Sequence, residues 1–320
     1  MAVYTSVSDE EVSSFLDLYP DSGRLLSIKG ITEGVENSNY LITTDVRSYI
    51  LTLYEKRVNP EELPFFMALT DHLAAENLPV PKAWKSHDGK QIQTLAGRPA
   101  CLIEFLQGRW TPTPNAEQTR ATGEMLGKMH KSLTHFSENR KNSLDLENWH
   151  ILAEKCGFEA MNQIEAHMGD EVKKELDYLD EFWPKDLPRS VIHADLFPDN
   201  VLFEGDSLKG VIDFYFACTE VRAWDLAITY SAWCFDQENH FLADHAKALI
   251  KGYHQSFALT EEERAAFIVL LRGAALRFLL TRAWDWVNTP PDALVVPKDP
   301  RDFFKRLRFY REASFESLGF

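Results

Sequence analysis

The sequence predicts an α+β protein of two lobes: a small, mostly antiparallel β-sheet with an inserted helix, then a larger, mainly helical lobe. Three observations carry this reading. A chain of 320 residues with 45% hydrophobic residues holds more apolar material than one core comfortably uses. Strand-like alternation dominates the first hundred residues, and helical spacing dominates the rest of the chain. Between the two lies Gln107-Gly108-Arg109-Trp110-Thr111-Pro112-Thr113-Pro114, whose glycine and prolines can continue neither element. The lobes are accordingly expected over 1–106 and 107–320.

Each element has a local reason. Ser8 with Glu11 three residues on forms a capping box, after which Val12, Phe15, Leu16 and Tyr19 recur at helical spacing until Pro20 ends the run. Strands follow over 25–28, 39–43 and 49–54, the last two joined by a polar turn at 45–47. A helix over 63–76 presents Phe66, Leu69 and Leu73, and two further strands are expected over 91–95 and 99–105. In the second lobe, helices are expected over 117–133, 149–167 and 170–182, then a β-rich island over 190–216. Helices run from there to the end, one of them opened by a second capping box at Thr260 and Glu263.

Composition narrows the partners. Lys+Arg 34 against Asp+Glu 49 leaves a net charge of −15, which repels nucleic-acid backbones. Cys101, Cys156, Cys218 and Cys234 are widely spaced with no CxxC pair, so they read as reduced thiols rather than as a disulfide framework or zinc site. Asp9, Glu10 and Glu11 stand where a secretory signal would be basic and then apolar. The most apolar stretch, 265–280, is broken by Arg272 and Arg277. A cytoplasmic protein with neither nucleic-acid nor membrane partner is expected; the charge balance says nothing about small ligands, and the oligomeric state stays open.

Chemistry concentrates in Val191-Ile192-His193-Ala194-Asp195-Leu196-Phe197-Pro198-Asp199-Asn200-Val201-Leu202-Phe203 and the nearby strand Val211-Ile212-Asp213-Phe214. Two apolar triplets bracket a polar loop, and the next apolar strand ends in a carboxylate. Buried carboxylates are costly unless paired, hydrogen-bonded or metal-bound. Phosphoryl transfer from ATP uses all three polar groups. Asp195 would be the base that accepts the acceptor's hydroxyl proton, and Asn200 and Asp213 would be hard oxygen ligands for Mg²⁺ on the phosphates. The spacing H-x-D-x-x-x-x-N followed by D-F is that of kinase catalytic and metal loops. His193 reads as a brace of the loop, and Asp225, which opens an apolar helical run, as its cap or brace.

These stretches, with Gly210-Val211-Ile212-Asp213-Phe214-Tyr215 and Asp225-Leu226-Ala227-Ile228, resemble the aminoglycoside phosphotransferase/choline kinase superfamily, which has a protein-kinase-like two-lobed fold. Within it the chain looks most like the bacterial homoserine kinases of that fold. Gly34-Val35-Glu36-Asn37-Ser38-Asn39, Tyr49-Ile50-Leu51-Thr52-Leu53-Tyr54-Glu55, Leu78-Pro79-Val80-Pro81 and Trp233-Cys234 carry the likeness across both lobes. The resemblance implies a nucleotide-binding first lobe, ATP and Mg²⁺, and L-homoserine as acceptor in threonine biosynthesis. Other amino alcohols, aminoglycosides and a non-catalytic nucleotide-binding module remain the alternatives. The backbone of Glu104 and Leu106 would then hold adenine.

Departures from protein kinases point to a small acceptor. Ala194 replaces the arginine that would bind a phosphorylated activation loop, and the interval from Asp213 to Asp225 is too short to dock a peptide. The first lobe is less regular. Gly34, Asn37, Ser38 and Asn39 suit either a phosphate cover or an ordinary hairpin turn. Thr52 stands where the superfamily usually has Lys or Arg; Lys56 shares its parity and suits either a phosphate contact or solvent, with Glu61 or Glu62 as carboxylate partner. A pocket for homoserine, a zwitterion, needs an Arg for its carboxylate, an acid or carbonyls for its ammonium, and Asp195 at its hydroxyl. Arg277 and Arg282 are the candidates, with Arg272 and Trp284 on the same stretch, and the run Tyr215, Glu220, Arg222 suits the lining of the same mouth.

Overall fold

The structure, a computed structural model, describes residues 4–31, 37–55, 58–290 and 296–319. It divides into two compact units, Met1–Gln107 with Gly210–Ile212, and Gly108–Lys209 with Asp213–Phe320. The short return to the first unit is anchored by the Val211 N–H, which donates to the Pro79 carbonyl at 2.9 Å.

In the first unit, helix α1 (Asp9–Leu16) starts at the expected capping box: Ser8 Oγ accepts the Glu11 N–H and the Glu11 carboxylate accepts the Ser8 N–H. Strands β1 (Leu25–Ile31), β2 (Ser38–Thr44) and β3 (Ser48–Leu53) precede helix α2 (Leu63–Ala75), and β4 (Gln93–Leu95) and β5 (Arg98–Glu104) complete the sheet. The order is β1-β2-β3-β5-β4, with every pairing antiparallel. Because side chains alternate along a strand, one face carries Tyr40, Ile42, Tyr49, Leu51, Leu53, Ala100 and Leu102 into a core shared with Val12, Phe15 and Leu16. The other face carries Leu41, Ile50 and Ile103 in register across three strands, each half-buried.

The second unit opens with α3 (Ala116–Leu133). The helix expected over 149–167 is two helices, α4 (Leu146–Cys156) and α5 (Phe158–Ile164), because Gly157 adopts a φ of 79° between them. Helix α4 also starts earlier than expected, where the Asp145 carboxylate caps the Asn148 N–H at 3.0 Å. After α6 (Met168–Phe182) comes the β island: β6 (Arg189–Ile192), β7 (Val201–Glu204), β8 (Ser207–Val211) and β9 (Cys218–Val221). Strand β6 pairs antiparallel with β9, and β7 with β8. Helices α7 (Arg222–Trp233), α8 (Ala243–Ser256), α9 (Glu261–Ala265), α10 (Phe267–Asn288) and α11 (Arg301–Glu312) complete the unit. The Thr260 capping box forms, but the helix it opens is the short α9, which ends at Ala265, with Ala266 as the cap shared with α10. All four cysteines are free and buried. Among the described residues no helix is long and apolar enough to cross a membrane.

Helices α3 and α8 meet backbone to backbone. A Cβ at Gly252 would lie 2.0 Å from the Arg120 carbonyl oxygen, and one at Gly123 would lie 2.2 Å from that of Leu249. Only glycine permits this approach, and it brings His130 of α3 to Tyr253 of α8. Gly252→Ala is therefore expected to destabilise the protein by ~2 kcal/mol or more, because backbone rather than a flexible side chain must move. Urea unfolding followed by circular dichroism measures this; an unchanged midpoint would show that the helices can separate at no cost.

Candidate active site

The catalytic loop leaves β6 at Ile192 and returns into β7 through a single 3₁₀ turn, Pro198–Asn200. That turn folds Asn200 back onto Asp195: its Nδ2 donates to the Asp195 backbone carbonyl at 2.8 Å and to Asp195 Oδ2 at 3.3 Å. Asp213, just after β8, is exposed. Ala194 and Asp213 both sit in the left-handed region, each with a φ of 64°. For non-glycine residues that conformation costs ~1 kcal/mol or more, so surrounding contacts must impose it.

At Ala194 those contacts are on both sides of the residue. Asp225 of α7 accepts the Ala194 N–H on Oδ1 at 2.8 Å and the His193 N–H on Oδ2 at 2.7 Å. The Ala194 carbonyl accepts from Nη1 of Arg277 in α10. Asp225 is itself backed by His130, whose Nε2 donates to Oδ2 at 3.1 Å and whose Nδ1 is 2.9 Å from the Tyr253 hydroxyl. Both Asp225 and His130 are wholly buried. Burial pushes the Asp225 carboxyl up. The bond and charge of His130, with the charge and N–H of His193, outweigh burial and hold the carboxyl below the ordinary carboxylate range. His193 stays under the loop: its Nδ1 accepts the Asp195 N–H at 3.2 Å and its ring packs 4.7 Å from that of Phe214.

Asp195 behaves oppositely. Burial pushes its carboxyl up to about 8; Arg277 and Lys298 pull it down, while Asp213 and Asp199 push it further up. A carboxyl so placed among other acids is a proton acceptor waiting for compensating positive charge.

The residues also fit a divalent cation. The Asn200 amide nitrogen is spent on Asp195, and among the described residues its Oδ1 has no hydrogen-bond partner. Among those residues no group of three His, Cys, Asp or Glu could hold a metal alone. An amide oxygen and one carboxylate are what Mg²⁺ needs when phosphates and water complete its shell.

Several expected contacts do other work. Arg277 is 2% exposed and stacks 4.4 Å from Phe278, so it positions the loop from beneath instead of presenting itself to a substrate. Arg282 donates to the Asp299 carbonyl at 3.0 Å and to Asp302 Oδ2 at 2.9 Å, tying α10 to α11. Glu220 is paired with Arg189, Arg222 with Glu263 and Arg272 with Glu175. Tyr215 is half-buried two residues beyond Asp213. Sequence reasoning missed His130 and Tyr253 altogether, and it missed the carbonyl that Arg277 serves.

In the first unit Gly34 and Lys56 lie outside the described residues. The Ser38 hydroxyl is spent within the fold instead of being left open to phosphates: it accepts from the Tyr4 and Thr5 N–H groups and donates to Glu55. Asn37 Oδ1 accepts the Glu55 N–H, and Asn39 Oδ1 accepts from the Thr52 hydroxyl at 2.7 Å across the strand pair. These side chains lock β2 to β3 because they begin a strand, not because they line a loop. Glu55 also meets Arg98 at 3.3 Å. The Glu104 N–H is spent on the Lys82 carbonyl, whereas the Leu106 N–H donates to no described residue.

The loop sets an acid beside an amide oxygen, with a second carboxylate just after β8, and these are the groups that phosphoryl transfer to a hydroxyl requires. Fold and donor set together are those of a kinase-fold phosphotransferase. The family model of the phosphotransferase enzyme family matches residues 27–260. The chain is 99% identical over 320 residues, covering all of both, to a homoserine kinase of Zymomonas mobilis subsp. mobilis. It is 47% identical over 314 residues to that of Rhodospirillum rubrum, covering 98% of the chain and 97% of the relative. The chain belongs to the phosphotransferase enzyme family, among its homoserine kinases. Solved structures share the fold: a spectinomycin phosphotransferase in complex with ADP and spectinomycin has a TM-score of 0.68 at 12% identity, covering 96% of this chain and 95% of its own. An ethanolamine kinase of Plasmodium vivax has 0.59 at 15%, covering 91% and 84%.

Proposed function

We infer that this chain transfers the γ-phosphoryl group of ATP to the hydroxyl of L-homoserine, the activated product serving threonine biosynthesis in the cytoplasm. The full-length 99% identity to a homoserine kinase supports the acceptor. The observation that carries the chemistry is the bond from Asn200 to Asp195, which holds a base and a metal-ligand candidate in one turn. In this reading Asp195 accepts the hydroxyl proton as the acceptor oxygen bonds to γ-phosphorus and the bond to the β–γ bridging oxygen breaks, releasing ADP. Arg277 and Asp225 keep the Ala194 peptide in place while this happens. Mg²⁺, held by Asn200 Oδ1, an Asp213 carboxylate oxygen and phosphate oxygens, would neutralise charge on the β- and γ-phosphates. The Leu106 N–H and the Glu104 carbonyl would read the adenine edge against the half-buried row of Leu41, Ile50 and Ile103. Gly34 and Lys56 keep their assignment to the phosphates on sequence grounds.

The test is ADP release with L-homoserine, choline, ethanolamine and an aminoglycoside supplied in turn. Turnover is expected with L-homoserine well above the others. Preference for another acceptor would reassign the substrate, and ATP binding without turnover on any would make the chain a nucleotide-binding module.

A further inference from the structure

A zwitterionic amino acid needs a cation and an anion side by side, a few ångströms from the base that takes its hydroxyl proton. The arginines placed there by sequence reasoning are committed internally: Arg277 to the Ala194 carbonyl, and Arg282 to Asp299 and Asp302. Lys298 is not. Its Nζ lies 5.7 Å from the centre of the Phe197 ring and 3.4 Å from Asp199 Oδ2, and its side chain remains 64% exposed.

Both members of this pair stand on firm supports. Asp199 is in the 3₁₀ turn between Asp195 and Asn200, and the Phe197 N–H donates to the Asp195 carbonyl at 2.8 Å. The Phe197 ring packs 4.8 Å from Phe278 of α10 and 6.1 Å from Phe303 of α11. The residue after Lys298 is held twice: Arg282 donates to the Asp299 carbonyl, and the Asp299 carboxylate accepts the Arg301 N–H at 2.8 Å. Arg282 thus fixes the segment that carries the lysine.

We propose that Lys298 and Asp199, an exposed ion pair over Phe197 in the catalytic loop, read the α-carboxylate and the α-ammonium of the acceptor. The inference rests on the homoserine reading and assigns its specificity. An exposed lysine–aspartate pair contributes little in water, so exchanging partners with a bound zwitterion costs little. The exchange gives four alternating charges beside the loop that carries Asp195.

Three acceptors separate the two charges: L-homoserine, 3-aminopropan-1-ol, which lacks the carboxylate, and 4-hydroxybutyrate, which lacks the ammonium. Each is measured as a substrate or, where turnover is slow, as a competitor of L-homoserine. Lys298→Met is expected to weaken L-homoserine and 4-hydroxybutyrate by ~10-fold or more while 3-aminopropan-1-ol moves by less than ~3-fold; Asp199→Asn is expected to weaken L-homoserine and 3-aminopropan-1-ol instead. Lys298→Arg should retain most of the carboxylate preference, and KM for MgATP should hold in all variants. Equal losses for all three acceptors would mean a displaced loop and would overturn the proposal, as would an L-homoserine KM untouched by Lys298→Met. A parent enzyme inert toward L-homoserine would overturn the functional reading itself, a different result from an active parent whose KM ignores the pair.

Discussion

Asp195→Asn is expected to fold as the parent does and to lose ~10²- to 10⁴-fold in kcat, with KM for ATP little changed. Asparagine matches the carboxylate in shape but accepts no proton, so the variant separates the base from the architecture that Asn200 and His193 build around it. The raised Asp195 carboxyl adds a pH signature. Only the ionised form can act as base, so kcat/KM of the parent should climb with pH toward about 8, the value to which burial, offset by Arg277, raises this group. The same shift has a stability consequence of opposite sense. The folded pKa lies above the unfolded one, so the protein is favoured at acid pH and stability drains away as pH rises from ~4 toward 8. Asp195→Asn removes that loss and should be the more stable protein at pH 8 by ~1–3 kcal/mol, the gap closing toward pH 4. Since Asp195 remains partly open to solvent, water softens the penalty and the lower end of that range is the firmer expectation. Thermal unfolding at the two pH values, beside steady-state kinetics, measures both effects. Full activity in the variant would remove Asp195 from the chemistry.

The range of each interaction decides how legible it is in the sequence. Asp195 and Asn200 are five residues apart in one strand–turn–strand unit, so their spacing alone brings them together once the flanking triplets form β6 and β7. The alternation in 39–43 and 49–54 likewise determines which face of the sheet is core. His130 lies 95 residues from Asp225, and nothing in the amphipathic run of α3 distinguishes an imidazole aimed at a buried carboxylate from one packed in a core. Arg277 shows the same limit from the other side. An arginine among Phe278, Leu279 and Leu280 signals a buried cation, but its partner is a backbone carbonyl, which has no residue signature. Asn37, Ser38 and Asn39 suit an ordinary hairpin turn by composition because the groups that satisfy them, the Thr52 hydroxyl and the Glu55 N–H and carboxylate, lie in or just after another strand. Gly157 breaks a helix whose hydrophobic periodicity runs through it, since glycine reaches a positive φ without the clash a Cβ would bring.

Asp225→Ala is expected to give the largest loss of stability of any single change at the site, ~3–5 kcal/mol, because it strands a buried imidazole and two buried N–H groups at once. It also releases the peptide that Asp225 and Arg277 grip from opposite sides, so Ala194 can leave its left-handed conformation and carry Asp195 with it. Asp225→Asn discriminates between stability and positioning. One amide oxygen still accepts, but the NH₂ group now faces a donor, so at least one of the bonds to His193, Ala194 and His130 fails. That variant should fold and yet lose ~10- to 100-fold in kcat, the cost of a base held in a looser loop. Its pH dependence is the reverse of that of Asp195. The folded Asp225 pKa is depressed, so the stability it contributes is present above the unfolded value of ~3.9 and is lost as pH falls through the folded one. Parent protein should therefore weaken in acid more steeply than Asp225→Asn, as read by urea unfolding at pH 7 and below pH 4. If Asp225→Asn kept parental kcat, the left-handed peptide would be held by Arg277 alone, and the carboxylate would belong to the core rather than to the reaction.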